Sequence, residues 1–244
     1  MDLIKWPFLK QSWGMEVVRS EGPYLYTKEG QKILDAAGGA IVSNIGYGRE
    51  EVAEAVKQAT KNNSYVLPPF LTPERESLLD ELREHWLPSH LTRIHLSSGG
   101  SEANESAIKL AIQYQASRGK PEKNMILTRT LSYHGTTLNM SGISGHTARK
   151  RGLESYVPKA PMIETPYPLR CPIGSFHPDA KDYYLNNLKE VLKEVGPENI
   201  AGLLMEPING SSGGAISPPE GYWEEAQKIL IDNDILLIAD EVMT

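Results

Sequence analysis

The chain has 244 residues, 40% of them apolar, enough to bury a sizeable core as one large domain or a domain with a small appendage. A formal net charge of −6 and the absence of any basic run leave no electrostatic footprint for nucleic acid or for an anionic membrane surface. The single cysteine, Cys171, excludes an internal disulfide, no cysteine and histidine cluster has metal-ligand spacing, and no apolar run is long enough to span a bilayer; the expected setting is the reducing cytoplasm.

The amino end, "MDLIKWPFLKQSWG", has no continuous apolar core of signal-peptide kind. Next, "EGPYLYTKEGQKILDAAGG" reads as two short strands around a turn at 28–30, followed by a glycine-rich loop. In "REEVAEAVKQATKN", Val52, Ala55, Val56 and Ala59 recur at helical spacing with charges on the opposite face. A second amphipathic helix is expected in "TPERESLLDELREHW", with Thr72 as cap and Pro73 in the first turn. From Thr92 onward, short apolar runs alternate with helices: "RIHL", "EANESAIKLAIQYQAS", "NMILT", "IAGLLME", "PEGYWEEAQKILIDN" and "ILLIADE". Runs that are apolar almost throughout, alternating with helices, predict an α/β fold with a mostly parallel sheet covered on both faces. Residues 143–182, rich in proline, tyrosine and glycine, are too long for an ordinary connection and are expected to form an irregular excursion near the ligand site.

In such sheets ligands sit beyond the carboxyl ends of the strands, so the residues that follow each apolar run carry the functional information. Ser98, Gly99, Gly100 and Ser101 lie between "RIHL" and a helix. Glycines admit a close backbone approach, and the unpaired first amides of the helix favour an anion such as phosphate. The plain structural alternative is a tight turn with Ser101 capping the helix. Tyr133 and His134 in "SYHGTT" can offer a flat face and a hydrogen-bonding edge to an aromatic ligand, or can be a half-buried aromatic and a satisfied histidine. Glu206 ends a buried strand in "LLMEPINGSSGG", as a ligand-site carboxylate or as an anchor for loop amides. Asp240 ends "ILLIADEV", where a carboxylate is costly unless a cation or donors pair with it. A protonated ring nitrogen at about 4 Å would gain roughly 4 kcal/mol there at an effective dielectric near 20.

A phosphate cradle, an aromatic face and two carboxylates on loops of one sheet together describe pyridoxal 5′-phosphate. In order, "SSGGSEANESAIKLA", "SYHGTT", "MEPINGSSGG" and "LLIADEV" resemble the class III, omega-type aminotransferases of the fold-type-I pyridoxal-phosphate enzymes. "LDAAGGAIVSNIGYGREEVAEAV" resembles that family's active-site entrance, and the likeness runs from about Met15 to Thr244. The resemblance implies that Gly100 and Ser101 bind phosphate, Tyr133 stacks on the ring with His134 beside it, Asp240 bonds the pyridine nitrogen, Val242 covers the other ring face, and Glu206 supports the site. It also implies that residues 1–48 contribute to a small domain and the entrance, that 49–244 form part of the large cofactor-binding domain, and that completed units dimerise. Ile41 stands where many relatives that accept amines carry an aromatic, so the pocket size is this chain's own.

The family's Schiff-base lysine lies about thirty positions beyond the aspartate, past Thr244, while Lys109, Lys120 and Lys123 read as solvated. The sheet strands formed after "ADEV" would also lie beyond it, leaving open edges, so the chain alone is not expected to fold stably. The expectation is the amino-terminal half of an aminotransferase for a small-molecule amino donor and a keto acid, inactive alone and completed by a second polypeptide. The alternatives are a catalytically silent cofactor-binding module and a dinucleotide-binding oxidoreductase domain. The last needs an acidic residue after its second strand, where "NMILT" runs into "RTLSYHG".

Overall fold

In the computed structural model, which describes residues 14–244, the chain divides into two units, one running through Ile94 and the other His95–Thr244. The first unit opens with an antiparallel meander of β1 (Val17–Glu21), β2 (Tyr24–Thr27) and β3 (Lys32–Leu34). β2 and β3 are the expected pair, and Gly30, at φ +83°, closes the turn between them. β1 carries only two apolar residues at its start, too little pattern to be read in advance. After β3, the Asp35 carboxylate accepts from Gly39 N at 2.7 Å, Ala37 N at 3.1 Å and the Tyr47 hydroxyl at 2.6 Å. These bonds hold the single turn α1 (Gly38–Ile41) in a left-handed form, in which Ala40 and Ile41 have φ of +60° and +67°. Residues with side chains adopt that region at a cost of about 1–2 kcal/mol each.

Next come α2 (Glu50–Asn62) and α3 (Pro73–Glu81), the latter running into a π-helical turn at Leu82–Trp86. Thr72 caps α3 as expected, its hydroxyl accepting from Arg75 N at 3.3 Å. The apolar stripe of α2 is present, but Val52 and Val56 remain exposed among the described residues.

In the second unit four parallel strands lie in the order β5 (Met162–Ile163), β4 (Met125–Arg129), β6 (Ile200–Met205) and β7 (Leu236–Ala239). They alternate with α4 (Gly100–Ser117), α5 (Leu138–Ile143), α6 (Thr147–Lys150), α7 (Ala180–Val195) and α8 (Tyr222–Asp232). Side chains on successive strand residues point to opposite faces, and each face has its own core. Ile126, Ala201 and Leu204 pack with Ile108 of α4 and with Met140 and Ile143 of α5. Leu127, Leu203 and Met205 pack with Leu188 and Leu192 of α7 and with Tyr222 and Leu230 of α8. This is the covered parallel sheet that the apolar runs predict. Leu203, with no exposed surface, sits in the second cluster; Leu203→Ala is expected to lower unfolding free energy by about 2–5 kcal/mol in a denaturant titration.

Three expectations need correction. "RIHL" forms no ladder: a strand exists only beside a partner, and no described strand pairs with residues 93–96. The stretch 143–182 is irregular for most of its length but contributes the edge strand β5, whose two residues are too few to announce themselves. Lys123, read as solvated, is buried; its ammonium donates to the carbonyls of Pro197 at 2.7 Å, Ile200 at 3.2 Å and Asn233 at 3.1 Å, and burial lowers its pKa. The helix α7 completes one face of the sheet and was not anticipated, although Tyr184, Leu188 and Leu192 fall on one stripe.

β7 is tied to α4 at its start. Asp234, at φ +54°, bonds Lys120 Nζ at 2.5 Å and Arg118 Nη1 at 2.7 Å, and these two cations hold its carboxyl down to about 2. Its folded pKa lies below the unfolded value of roughly 4, so the stabilisation is present above that value and is lost as pH falls from about 4 through about 2. Asp234→Asn, which tolerates the same backbone conformation, is expected to lower the urea midpoint modestly at neutral pH, because the side chain is partly solvated, and to leave it nearly unchanged toward pH 2, where the wild type has lost the same contribution. Among the described residues no helix is long and apolar enough to cross a membrane.

Candidate functional site

β7 delivers Asp240 to the carboxyl end of the sheet, and its amide bonds back to Met205 O at 3.1 Å. The side chain is 4% exposed. One oxygen, Oδ2, accepts from Asn104 Nδ2 at 2.8 Å and lies 2.8 Å from His134 Nδ1, whereas among the described residues Oδ1 has only Val242 N, at 3.3 Å. Burial raises the carboxyl pKa, but the bonds from His134 and Asn104 outweigh it and leave the group below its ordinary value. An anion is therefore fixed at this point with one oxygen doubly used and the other open to a further donor.

His134 is held on every side. Its amide donates to Ser144 Oγ at 2.9 Å, its carbonyl accepts from Asn104 Nδ2 at 2.9 Å, and its ring is fully buried. The far ring nitrogen, Nε2, has no hydrogen-bond partner among the described residues and lies 3.8 Å from Glu206 Oε2. Glu206, at the end of β6, accepts from Tyr133 N at 3.0 Å and from Arg129 Nη2 at 2.8 Å. The geometry has Glu206 as the anchor of a loop amide, and the same carboxylate neutralises a buried charge. Arg129, the last residue of β4, has no exposed surface; burial lowers its pKa and Glu206 partly opposes that shift. The Tyr133 ring lies under the Arg149 guanidinium at 4.2 Å and meets the His146 ring edge-on at 6.5 Å.

The helix α4 starts at Gly100, with Gly99 rather than Ser101 in the capping position. The Ser101 hydroxyl instead accepts from Thr136 N at 3.0 Å, which fastens the "SYHGTT" loop to the opening of α4, and Ser98 N donates to Glu102 Oε2 at 2.9 Å. At Gly135, φ +141°, an added Cβ would lie 2.4 Å from Ser101 Oγ, so this close approach requires glycine. A Cβ on Gly100 would lie 2.8 Å from Val242 Cγ2, which places those two residues in contact.

Of the residues singled out by sequence, Gly100, Ser101, Tyr133, His134, Glu206, Asp240 and Val242 are thus joined through bonds and contacts at one end of one sheet. Asn104 and Arg129 belong to the same network and were missed. Each carried a readable signal: Asn104 follows Gly100 by one helical turn, and Arg129 is a charge at the tip of an apolar strand, the same feature that drew attention to Asp240. Asn104 links the two ends of the site, since one turn of α4 advances about 6 Å from the helix opening at Gly100 to the Asp240 carboxylate.

The described site fits pyridoxal 5′-phosphate in two respects: an 18-residue helix opens at Gly100 just after Gly99, beside whose missing Cβ no described atom lies within 4 Å, and Asp240 presents an ionised oxygen with spare acceptor capacity one turn away. The family model of class-III aminotransferases matches residues 10–244. The chain belongs to this family. Among its class-III relatives, an uncharacterised aminotransferase of Bacillus subtilis, YodT, is 35% identical over 92% of this chain and 50% of its own length. A putrescine–pyruvate aminotransferase of Pseudomonas aeruginosa is 33% identical over 93% of this chain and 50% of its own. An amine transaminase from an uncultivated Pseudomonas species, solved with the cofactor bound, superposes with a TM-score of 0.90 at 28% identity, covering 98% of this chain and 56% of that one. An (S)-enantioselective omega-transaminase from Thermomicrobium roseum gives 0.87 at 32% identity, covering 97% and 53%. The chain therefore has the fold of a fold-type-I transaminase and spans about half the length of these class-III relatives. Pyridoxal 5′-phosphate is the cofactor that the family and these structures indicate.

Proposed function

We propose that the chain is the amino-terminal half of a class-III aminotransferase that moves an amino group from an amino acid or amine to a keto acid, with the cofactor-anchoring lysine supplied from outside residues 1–244 by a second polypeptide. Residues 1–48 would serve the small domain and the entrance, 49–244 the large domain, and completed units would dimerise. The observation that carries the reading is the buried Asp240 carboxylate, fixed by His134 and Asn104 one helical turn from an anion-accepting helix opening.

In this reading the amides at Gly100 and Ser101 hold the phosphate, and the α4 dipole favours its charge. Asp240 would hold the proton at the pyridine nitrogen, with His134 and Asn104 fixing the carboxylate through Oδ2 and leaving Oδ1 to the ring. Tyr133 would flank one face of the ring and Val242 the other. Glu206 fixes the Tyr133 backbone through its amide. When bound, the cofactor supplies an electron-withdrawing protonated ring that makes the substrate Cα–H bond breakable and carries the amino group between donor and acceptor. Among the described residues Lys123 is committed to carbonyls, Lys150 to Gly142 O at 3.0 Å and Lys120 to Asp234, so none of these three donates into this network.

Co-expression with the open reading frame that follows this one, purification by a tag on this chain, and assay with an amino donor, a keto acid and the cofactor test the proposal. The expected result is a yellow two-polypeptide complex with amino-transfer activity and a borohydride-trappable link on the second polypeptide. A colourless, well-folded lone chain that takes up no cofactor overturns it. Reversible uptake without any trappable link in the complex would favour a silent binding module, a reading supported by the lysines being engaged elsewhere.

A further inference from the structure

Lys150, the last residue of α6, takes no part in the cofactor network, and its surroundings do not match its charge. It is half-buried, and its ammonium, a group with three donors, has one acceptor among the described residues, Gly142 O at 3.0 Å. No charged neighbour offsets the burial, which alone moves its pKa and moves it down. A cation taken partly out of water with no counter-charge beside it favours an anion at the same place.

The space next to it has the shape for one. Lys150 lines a cavity of about 460 Å³ whose other walls are largely apolar, with Val157, Pro158, Ala160 and Met162, while Thr147 and Lys159 add a hydroxyl and a second ammonium. That volume falls in the range of small-molecule sites. Glu154, the acid on its wall, accepts from the amide of Gly152 at 2.8 Å, so two cations stand there against one anion. Gly142 allows the close approach of the walls, because a Cβ there would lie 2.4 Å from Pro158 O. A second cavity of about 260 Å³, walled by Ile108, Ile112 and Ile143, shares Pro158, Lys159 and Ala160 with the first and does not reach Lys150. The pair therefore offers a cationic end and an apolar trough leading away from it. No residue of the cofactor network lines either cavity.

We propose that the two cavities form a binding site for a carboxylate with a straight apolar chain: the carboxylate pairs with Lys150, and the chain lies over Pro158 and Ala160 toward Ile108 and Ile112. The site is separate from the one that would hold the cofactor, and the inference does not depend on the amino-transfer reading.

Octanoate titrated into the purified protein, together with any polypeptide that accompanies it, and followed by ligand-observed NMR tests this. One saturable site is expected in the wild type. Octanamide has the same chain without the charge and is expected to bind about tenfold more weakly; hexanoate, two methylenes shorter, is expected to bind roughly tenfold more weakly as well. Lys150→Met keeps an apolar stem and drops the ammonium. It is expected to weaken octanoate by about tenfold and to leave octanamide unchanged, whereas Lys150→Arg stays within about threefold of the wild type for octanoate. A purely structural lysine would instead weaken both ligands alike in Lys150→Met, and that result overturns the proposal. So does an absence of saturable octanoate binding, equal affinity of the wild type for octanoate and octanamide, or octanoate bound by Lys150→Met as by the wild type. If Lys150→Met does not fold, the preference for octanoate over octanamide in the wild type and in Lys150→Arg decides the matter: retained in both, it upholds the site, and absent from either, it rejects it.

Discussion

Asp240→Asn is expected to lower the amino-transfer rate of the completed enzyme by about 10²–10³-fold, the size of effect seen when one preorganised charge is removed from a reacting centre. The substitution preserves shape, and the new amide can still accept from His134 Nδ1 through its oxygen. What it removes is the negative charge that keeps a proton on the ring nitrogen. A thermal melt close to the wild type, together with the collapse in rate, separates this from misfolding. Asp240→Ala goes further, because it strips His134 Nδ1 and Asn104 Nδ2 of their shared acceptor, and each unsatisfied buried donor costs about 1–3 kcal/mol. Asp240→Asn with an unchanged rate would show that the carboxylate is not what holds the ring proton.

Glu206→Ala is expected to have the largest effect on stability. It leaves the Arg129 guanidinium buried with no counter-charge and Tyr133 N without its acceptor, and breaking one partner out of a buried pair costs about 3–5 kcal/mol. Denaturant unfolding of the purified protein measures this directly. Glu206→Gln retains an acceptor oxygen for one of the two donors and is expected to fall between the wild type and the alanine variant. A wild-type midpoint for Glu206→Ala would mean that the charge of Arg129 is compensated by something other than this carboxylate.

Much of this site could be read in the sequence because each feature belongs to a local rule. An apolar run that stops at a carboxylate marks Asp240 and Glu206, and a pair of glycines before an alanine-rich run marks Gly100. The same rule applied once more reaches Arg129 at the end of β4. What local reading could not supply is direction. Ser101 reads in the sequence as a helix cap, yet the helix opens one residue before it, and its hydroxyl accepts instead from Thr136 N thirty-five positions away. Lys123 has the composition of a solvated residue, and only the meeting of three carbonyls from distant segments makes it an interior one.

By itself the amino-acid sequence determined the class of fold and three of the four parallel strands, since periodicity is a property of short segments, and the resemblance of its motifs gave the family. It misled on "RIHL", read as a strand, because pairing depends on a neighbour, and it did not show which polar groups meet at Asp240. The tertiary structure alone decided that one oxygen of Asp240 is shared by His134 and Asn104, 106 and 136 positions away. It likewise decided that Glu206 stands between Arg129 and the far edge of the same imidazole. The physical reason is that a buried charge has no water to turn to, so its state is set by whichever groups the fold brings within about 3 Å, and no short segment of the chain contains that information.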